Sequence, residues 1–306
     1  MMLNPILSFS AIRRMRSFRT MLIVIAYVTA LLLAALTMLS GFIRDDLYLN
    51  MMQRGPLCHA LLLAAQFLML VLIAPAMTSG AIAGERERQT LELLLVTNTR
   101  SMRIVTGKVM ESFAMLALLV VAGFPVVCLT MMAGAVTLLQ ILEGELFLLA
   151  MAFAAVCVGV FASSLSRSSM TGGILSYLLI FGIAVVTTLP LFLNYGQNVT
   201  DIVYDAQKFA ALTPGGAMKM IFPLLFINPG YALAALLQGQ TNFLGDVLQY
   251  QDMGRILCGF KLMDKAGGEI VALISTGAIV LLGLILMLLA ALILRRTGLK
   301  GSGKRN

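Results

Sequence analysis

Apolar residues run along this chain in long uncharged stretches rather than in short alternating patterns. Six such stretches cover residues 20–43, 56–83, 112–142, 146–166, 168–200 and 270–294. A hydrocarbon core of about 30 Å needs roughly 20 apolar residues in helical form, so each stretch is long enough to cross. The third and fifth are longer than a crossing needs and are expected to end in a tilted or broken section. In lipid every backbone N–H and C=O must be satisfied within the spanning segment, which favours helices. The pattern therefore predicts an all-α integral membrane protein with six transmembrane helices.

The flanks refine this outline. Residues 4–19 are short and basic, with Ile6, Leu7, Phe9 and Ile12 on one side of a helix and Arg13, Arg14 and Arg16 beyond. That spacing suits an interfacial helix leading into the first span, although a solvated arm has the same composition. The first stretch exceeds a usual signal-peptide core and lacks a clear small-x-small cleavage site, so it reads as a retained anchor. A seventh candidate, 220–245, is broken by Pro223, by Asn228-Pro229-Gly230 and by Gln238-Gly239-Gln240. Pro and Gly interrupt helices, so 201–269 reads as one extracytoplasmic region with short amphipathic or re-entrant helices against the membrane face. Asn198-Val199-Thr200 is a three-residue glycosylation sequon at its edge and carries little weight alone.

Composition agrees with a membrane protein. Of the 306 residues 60% are hydrophobic and 12% charged, with a mean hydropathy of +0.96; soluble domains carry roughly 25% charged residues. The net charge of +8 does not point to nucleic acid, because the basic residues cluster at the ends of apolar stretches. With the N-terminus inside, fifteen of the 22 Lys and Arg residues fall in cytoplasmic segments. They lie in the N-terminal arm, in 84–108, at Arg167 and in the C-terminal tail, as the positive-inside rule requires. Both termini are then cytoplasmic, and the expected location is a cell membrane, as a multi-pass protein.

Candidate chemistry is sparse. The four cysteines and the one histidine are scattered, and only Cys58 and His59 are adjacent, so no metal-ligating pattern stands out. Gly298 to Lys304 fits the spacing GxxxxGK, but Arg305 stands where the Mg²⁺-binding Ser or Thr belongs. The segment reads as a flexible basic tail, not an ATP site. The six stretches are almost free of charge: Glu111 pairs with Lys108 one turn earlier, and Glu143 and Glu145 fall in an outside loop. Gln66 is the main buried polar candidate, suited to an inter-helix hydrogen bond. There is no HExxH, no GxSxG and no pair of acids deep in neighbouring spans, so neither an intramembrane enzyme nor a proton- or sodium-coupled carrier is supported. Ala155, Gly159 and Ser163 form a small-xxx-small row. Such a row serves close packing within the chain or a dimer seam, with the first favoured.

The segment 84–108, GERERQTLELLLVTNTRSMRIVTGK, is the exception to this sparseness. As a helix from about Glu85 it sets Leu91, Leu94 and Leu95 on one face, with Glu85 and Glu87 early, where the helix dipole favours acids. Thr97-Asn98-Thr99 breaks the pattern and can cap a second helix, which carries Arg100, Arg103 and Lys108 into the third span. Charge and periodicity alone equally describe a topogenic loop with a short interfacial helix.

The order of residues is more specific. Glu85, Arg86, Glu87, Thr90, Leu91, Glu92, Leu94, Leu95, Thr97, Gly107 and Lys108 resemble the hallmark run of ABC-2-type transporter permeases. In that family an E-R-E-x-G-T-L-E-x-L-L-x-T-P-like stretch follows the second span and a G-K pair opens the third. Gln89 stands where Gly is common, and Asn98 where Pro is common. The basic arm beginning Asn4-Pro5-Ile6-Leu7, the six spans and the large outside region resemble one branch of that family in topology.

The resemblance implies a single transmembrane domain over residues 1–306 and a permease subunit of an ATP-binding-cassette exporter with an unidentified substrate. It implies no enzyme activity on this chain and no cofactor, with ATP and Mg²⁺ held by a separate ATPase subunit. It implies a second permease chain, identical or related, in a bacterial membrane. It assigns 84–108 as the coupling segment, with Glu85, Glu87, Thr90, Leu91, Glu92, Leu94, Leu95, Arg100 and Arg103 as ATPase-docking residues. A non-transporting membrane scaffold or immunity-type protein that only recruits a partner remains the alternative, with a secondary carrier behind it.

Overall fold

The computed structural model describes residues 18–44, 47–90, 101–133, 136–195, 226–241 and 265–302. All of its regular elements are helical: α1 (Phe18–Arg44), α2 (Leu47–Thr78), the short α3 (Ala83–Glu87), α4 (Ser101–Cys128) with a 3-10 turn (Leu129–Ala133), α5 (Leu138–Leu165), α6 (Ser169–Tyr195), α7 (Pro229–Thr241) and α8 (Lys265–Ser302). Six of these helices are long and apolar enough to cross a membrane, so the chain is a multi-pass helical membrane protein by length and composition. Residues 1–17, most of 201–264, the sequon and Thr97-Asn98-Thr99 lie outside the described residues.

The helix α5 is the hub of the bundle. It is the most buried of the six and touches α2, α3, α4, α6, α7 and α8. Its small residues allow this. A Cβ on Gly159 would lie 1.9 Å from Thr78 Oγ1 of α2, and one on Gly283 of α8 would lie 3.2 Å from Ala154 Cα. The small-xxx-small row thus packs within the chain, with Gly159 against α2 and Ser163 against the turn that follows it. Phe153 of α5 meets Phe113 of α4 edge to face, with ring centroids 5.6 Å apart. By contrast α1, α6 and α8 turn large apolar side chains outward, among them Leu33, Leu178 and Leu273. That is the surface expected to face lipid.

Helix boundaries depart from the uncharged stretches in four places. First, α4 starts at Ser101 and ends at Cys128, and α5 starts at Leu138, so 138–145 belongs to the fourth crossing and not to the third or to a loop. The cause is local. Thr137 Oγ1 accepts from Gln140 N at 3.4 Å while Gln140 Oε1 accepts from Thr137 N at 2.9 Å, a capping box that starts a helix. Glu143 and Glu145 are therefore helical residues of α5, correcting their placement in an outside loop. Second, α2 ends at Thr78, and the chain turns before α3. Third, α8 continues through Ser302, so Gly298 and Gly301 lie in helix rather than in a flexible tail.

The fourth departure concerns α7. Asn228 caps it, with Oδ1 accepting from Gly230 N at 2.8 Å and Tyr231 N at 3.1 Å, and Pro229 takes the first helical position, where its missing N–H has no partner to lose. Asn228-Pro229-Gly230 thus begins a helix. Its 13 residues reach about 20 Å, too short for a crossing. Of the two forms expected for this region, amphipathic or re-entrant, the amphipathic one does not fit α7. Ala232, Leu233, Ala235, Leu236 and Leu237 are all buried, and α7 packs along α8 with further contacts to α2 and α5. Its apolar residues are thus covered by neighbouring helices on more than one side.

Candidate functional site

The charged segment enters the structure at one end of the bundle, where α2 finishes, α3 forms, α4 begins and α5 turns into α6. The turn after α2 is held by a side chain from another helix. Ser163 Oγ of α5 accepts from Ile82 N and Ala83 N, at 3.0 Å each, and donates to Ser79 O at 2.9 Å. The first N–H groups of a helix lack intrahelical partners, and Ile82 at the cap position of α3 supplies no side-chain acceptor. Ser163 fills that role across 80 residues of sequence.

The three charges of α3 are engaged inside the chain. Glu85 pairs with Lys108 of α4 at 2.5 Å, and Lys108 also lies 3.6 Å from Glu111. The expected Lys108–Glu111 pair is thus part of a triad reaching back to α3. The Arg86 guanidinium donates from Nη1 to Ser166 O at 2.5 Å and from Nη2 to Ser164 O at 3.1 Å. These are carbonyls at the C-terminus of α5, where a cation suits both the orphan acceptors and the helix dipole. Glu87 Oε2 accepts from Ser169 N at 3.1 Å and Ser169 Oγ at 2.9 Å, so a carboxylate caps the N-terminus of α6.

The end of α3 closes in a left-handed turn. Gln89 N donates to Arg86 O at 3.1 Å, and Thr90 N donates to Glu85 O at 3.0 Å. With Arg88 at the cap, this is the paired hydrogen-bond pattern of a Schellman turn. It sets Gln89 at φ 59°, the one non-glycine residue of positive φ among those described. Glycine adopts that conformation without a Cβ penalty, and position 89 is where the hallmark run commonly has Gly.

Of the nine docking residues expected from the resemblance, four are described. Glu85 is half-buried and pairs with α4, Glu87 is exposed and bonds to Ser169, Thr90 is exposed at the turn, and Arg103 is exposed in the first turn of α4. Leu91, Glu92, Leu94, Leu95 and Arg100 lie outside the described residues. Ser163 and Ser169 were not among the expected residues, and Arg86, a matched position of the run, is bonded to the end of α5. The available signal was the hydroxyl-rich run Ser163-Ser164-Leu165-Ser166-Arg167-Ser168-Ser169, which interrupts two apolar stretches.

A second polar layer crosses the bundle farther along α2 and α5. Gln66 is fully buried and donates from Nε2 to Glu145 Oε1 at 3.3 Å and Oε2 at 3.2 Å. The inter-helix bond expected of Gln66 is present, but its partner is an acid buried within a spanning helix, which corrects the reading of the spans as nearly uncharged. Gly123 of α4 makes room: a Cβ there would lie 2.9 Å from Gln66 Nε2 and 3.2 Å from Tyr27 Oη. Nearer the start of α5, Gln140 and Gln240 exchange side-chain to main-chain bonds of 2.9 and 3.0 Å. Gln240 Nε2 also donates to Glu143 at 3.2 Å. His59 Nδ1 faces Thr130 Oγ1 at 3.5 Å. Among the described residues no three His, Cys, Asp or Glu side chains converge as a metal site. Comparison with known protein families and with curated proteins returns no match.

Proposed function

We propose that the chain is the membrane-spanning subunit of an ATP-driven exporter of the ABC-2 type, and that its segment 85–103 docks a separate ATPase. The end of the bundle bearing α3 is then cytoplasmic, with both termini on that side. The observation that carries this reading is the form of the hallmark run. It leaves α2 as a short helix, closes in the left-handed turn at Gln89, and sits where α2, α4, α5 and α6 meet. A surface at that junction is mechanically joined to four spanning helices, as a drive site must be. Energy reaches the helices only if the partner binds their alternative arrangements unequally. The test is vanadate-sensitive ATP hydrolysis in chain purified with its subunits in mild detergent from the membranes of its source cell. Hydrolysis by a co-purifying subunit is the expected result, and a well-folded chain with no associated hydrolysis contradicts the proposal.

One observation favours a secondary carrier instead: the buried Glu145, since acids inside membranes commonly serve ion or proton paths. That reading predicts accumulation or efflux that follows an ion gradient and persists without ATP.

A further inference from the structure

Arg86 and Glu87 are adjacent in sequence, yet they grip the two ends of the same elbow. That elbow, residues 166–168, joins α5 to α6. Arg86 holds the last carbonyls before it, at Ser164 and Ser166, and Glu87 holds the first amide and hydroxyl after it, at Ser169. Three of these four partner atoms lie on the main chain, so the grip follows the backbone path more than a flexible side chain. A planar guanidinium on two acceptors fixes direction as well as distance.

The surrounding fit is close. A Cβ on Gly172 of α6 would lie 2.6 Å from Ser79 O, and one on Gly84 would lie 3.2 Å from Ser169 Oγ. Ser163 ties Ser79, Ile82 and Ala83 to α5 at the same level. Residues 79–87 therefore cannot slide past 163–172 without breaking hydrogen bonds or colliding.

We infer that Arg86 and Glu87 are positioning residues that form a clasp, transmitting any displacement of the charged segment to the α5–α6 elbow. This deepens the proposed function and rests on it for the source of the displacement, but the clasp itself does not. The clasp makes α5, the hub of the bundle, the receiving element. Within the docking segment, Arg86 is half-buried against the end of α5, and Glu87 holds the start of α6 from the exposed side.

Hydrogen exchange on the full chain in lipid nanodiscs tests the clasp without any partner. Arg86→Ala and Glu87→Ala each speed exchange of amides 164–170 by about tenfold, with α1 and α8 unchanged, because local opening exposes amides in proportion to its equilibrium constant. Arg86→Lys keeps the charge and falls between wild type and Arg86→Ala. Elbow exchange equal to wild type in both alanine variants overturns the clasp.

The same measurement on the complex with its ATPase, nucleotide-free against ADP-vanadate, tests transmission. In wild type both 79–90 and 164–170 respond to nucleotide. Arg86→Ala still captures the ATPase and responds at 79–90, but the response at 164–170 is lost and Arg86→Lys restores part of it. A response at the elbow that survives in Arg86→Ala, or that is missing in wild type, overturns transmission while leaving the partner assignment intact. Failure of wild type to capture any ATPase removes the partner assignment and with it transmission, and the first arm then decides the clasp alone.

Discussion

Gln66 of α2 donates one amide nitrogen to both carboxylate oxygens of Glu145 on α5, at 3.3 and 3.2 Å, with both residues buried. A buried polar group left without its partner costs about 1–3 kcal/mol, whereas removing both partners together costs far less. Gln66→Leu is therefore expected to destabilise the chain by about that amount. The double variant Gln66→Leu, Glu145→Leu is expected to recover much of the loss, the non-additivity of residues in contact. Thermal unfolding of the purified chain, followed by size-exclusion chromatography, measures both.

The left-handed backbone at Gln89 is a site where the chain gains from glycine. The αL conformation costs about 1–2 kcal/mol for a residue with a Cβ, offset by the roughly 0.5–1 kcal/mol that glycine loses on ordering. Gln89→Gly is expected to stabilise the turn by up to about 1 kcal/mol, and Gln89→Val to weaken it. Limited proteolysis at 88–91 reads the difference: slower cleavage in the glycine variant, faster in the valine variant. Equal cleavage in all three removes the strain argument.

Gly159 sets the distance between α2 and α5. A methyl there would lie 1.9 Å from Thr78 Oγ1 and 2.7 Å from Thr78 Cβ, so the helices must move apart. Overpacking of this kind costs about 1–3 kcal/mol. Gly159→Ala is expected to lower the unfolding temperature, and Thr78→Gly in the same chain to restore part of it. A Gly159→Ala chain as stable as wild type contradicts the packing.

Asn228 has two tasks that variants can separate. Its Oδ1 caps α7, and its Nδ2 donates to Ala184 O at 3.1 Å and Thr187 Oγ1 at 2.8 Å on α6. Asn228→Ala loses both, with the cap alone worth about 1 kcal/mol. Asn228→Asp keeps the cap and loses the donor. Amide exchange in α7 is expected to rise strongly in the first variant and less in the second.

The apolar stretches were legible because a bilayer demands length and lack of charge, and both are local properties. The start of α5 was less so. Glu143 and Glu145 look like loop residues by charge, and only the Thr137–Gln140 box shows the helix beginning before them. The burial of Glu145 depends on Gln66, 79 residues away, and no local pattern encodes that pairing. The same holds for Arg86. Its position beside two acids reads as an exposed charged face, but its acceptors are carbonyls 78 and 80 residues later. For α7, the Pro and Gly that argued against a crossing serve as its cap and first turn, and tertiary packing made it a buried helix. Residue order alone does not show that position 89 is left-handed; the backbone φ of Gln89 does.

The proposed function stands on the binding of an ATPase by the segment 85–103. The most direct measurement is capture of the ATPase by the tagged, detergent-solubilised full chain, wild type beside Leu94→Asp, with the captured subunit identified by mass spectrometry. An ATPase bound to wild type and lost in Leu94→Asp, at equal membrane insertion and folding, is the expected result. A folded wild-type chain that binds no ATPase contradicts the account, and equal capture by both contradicts the assignment of Leu94 to the docking face.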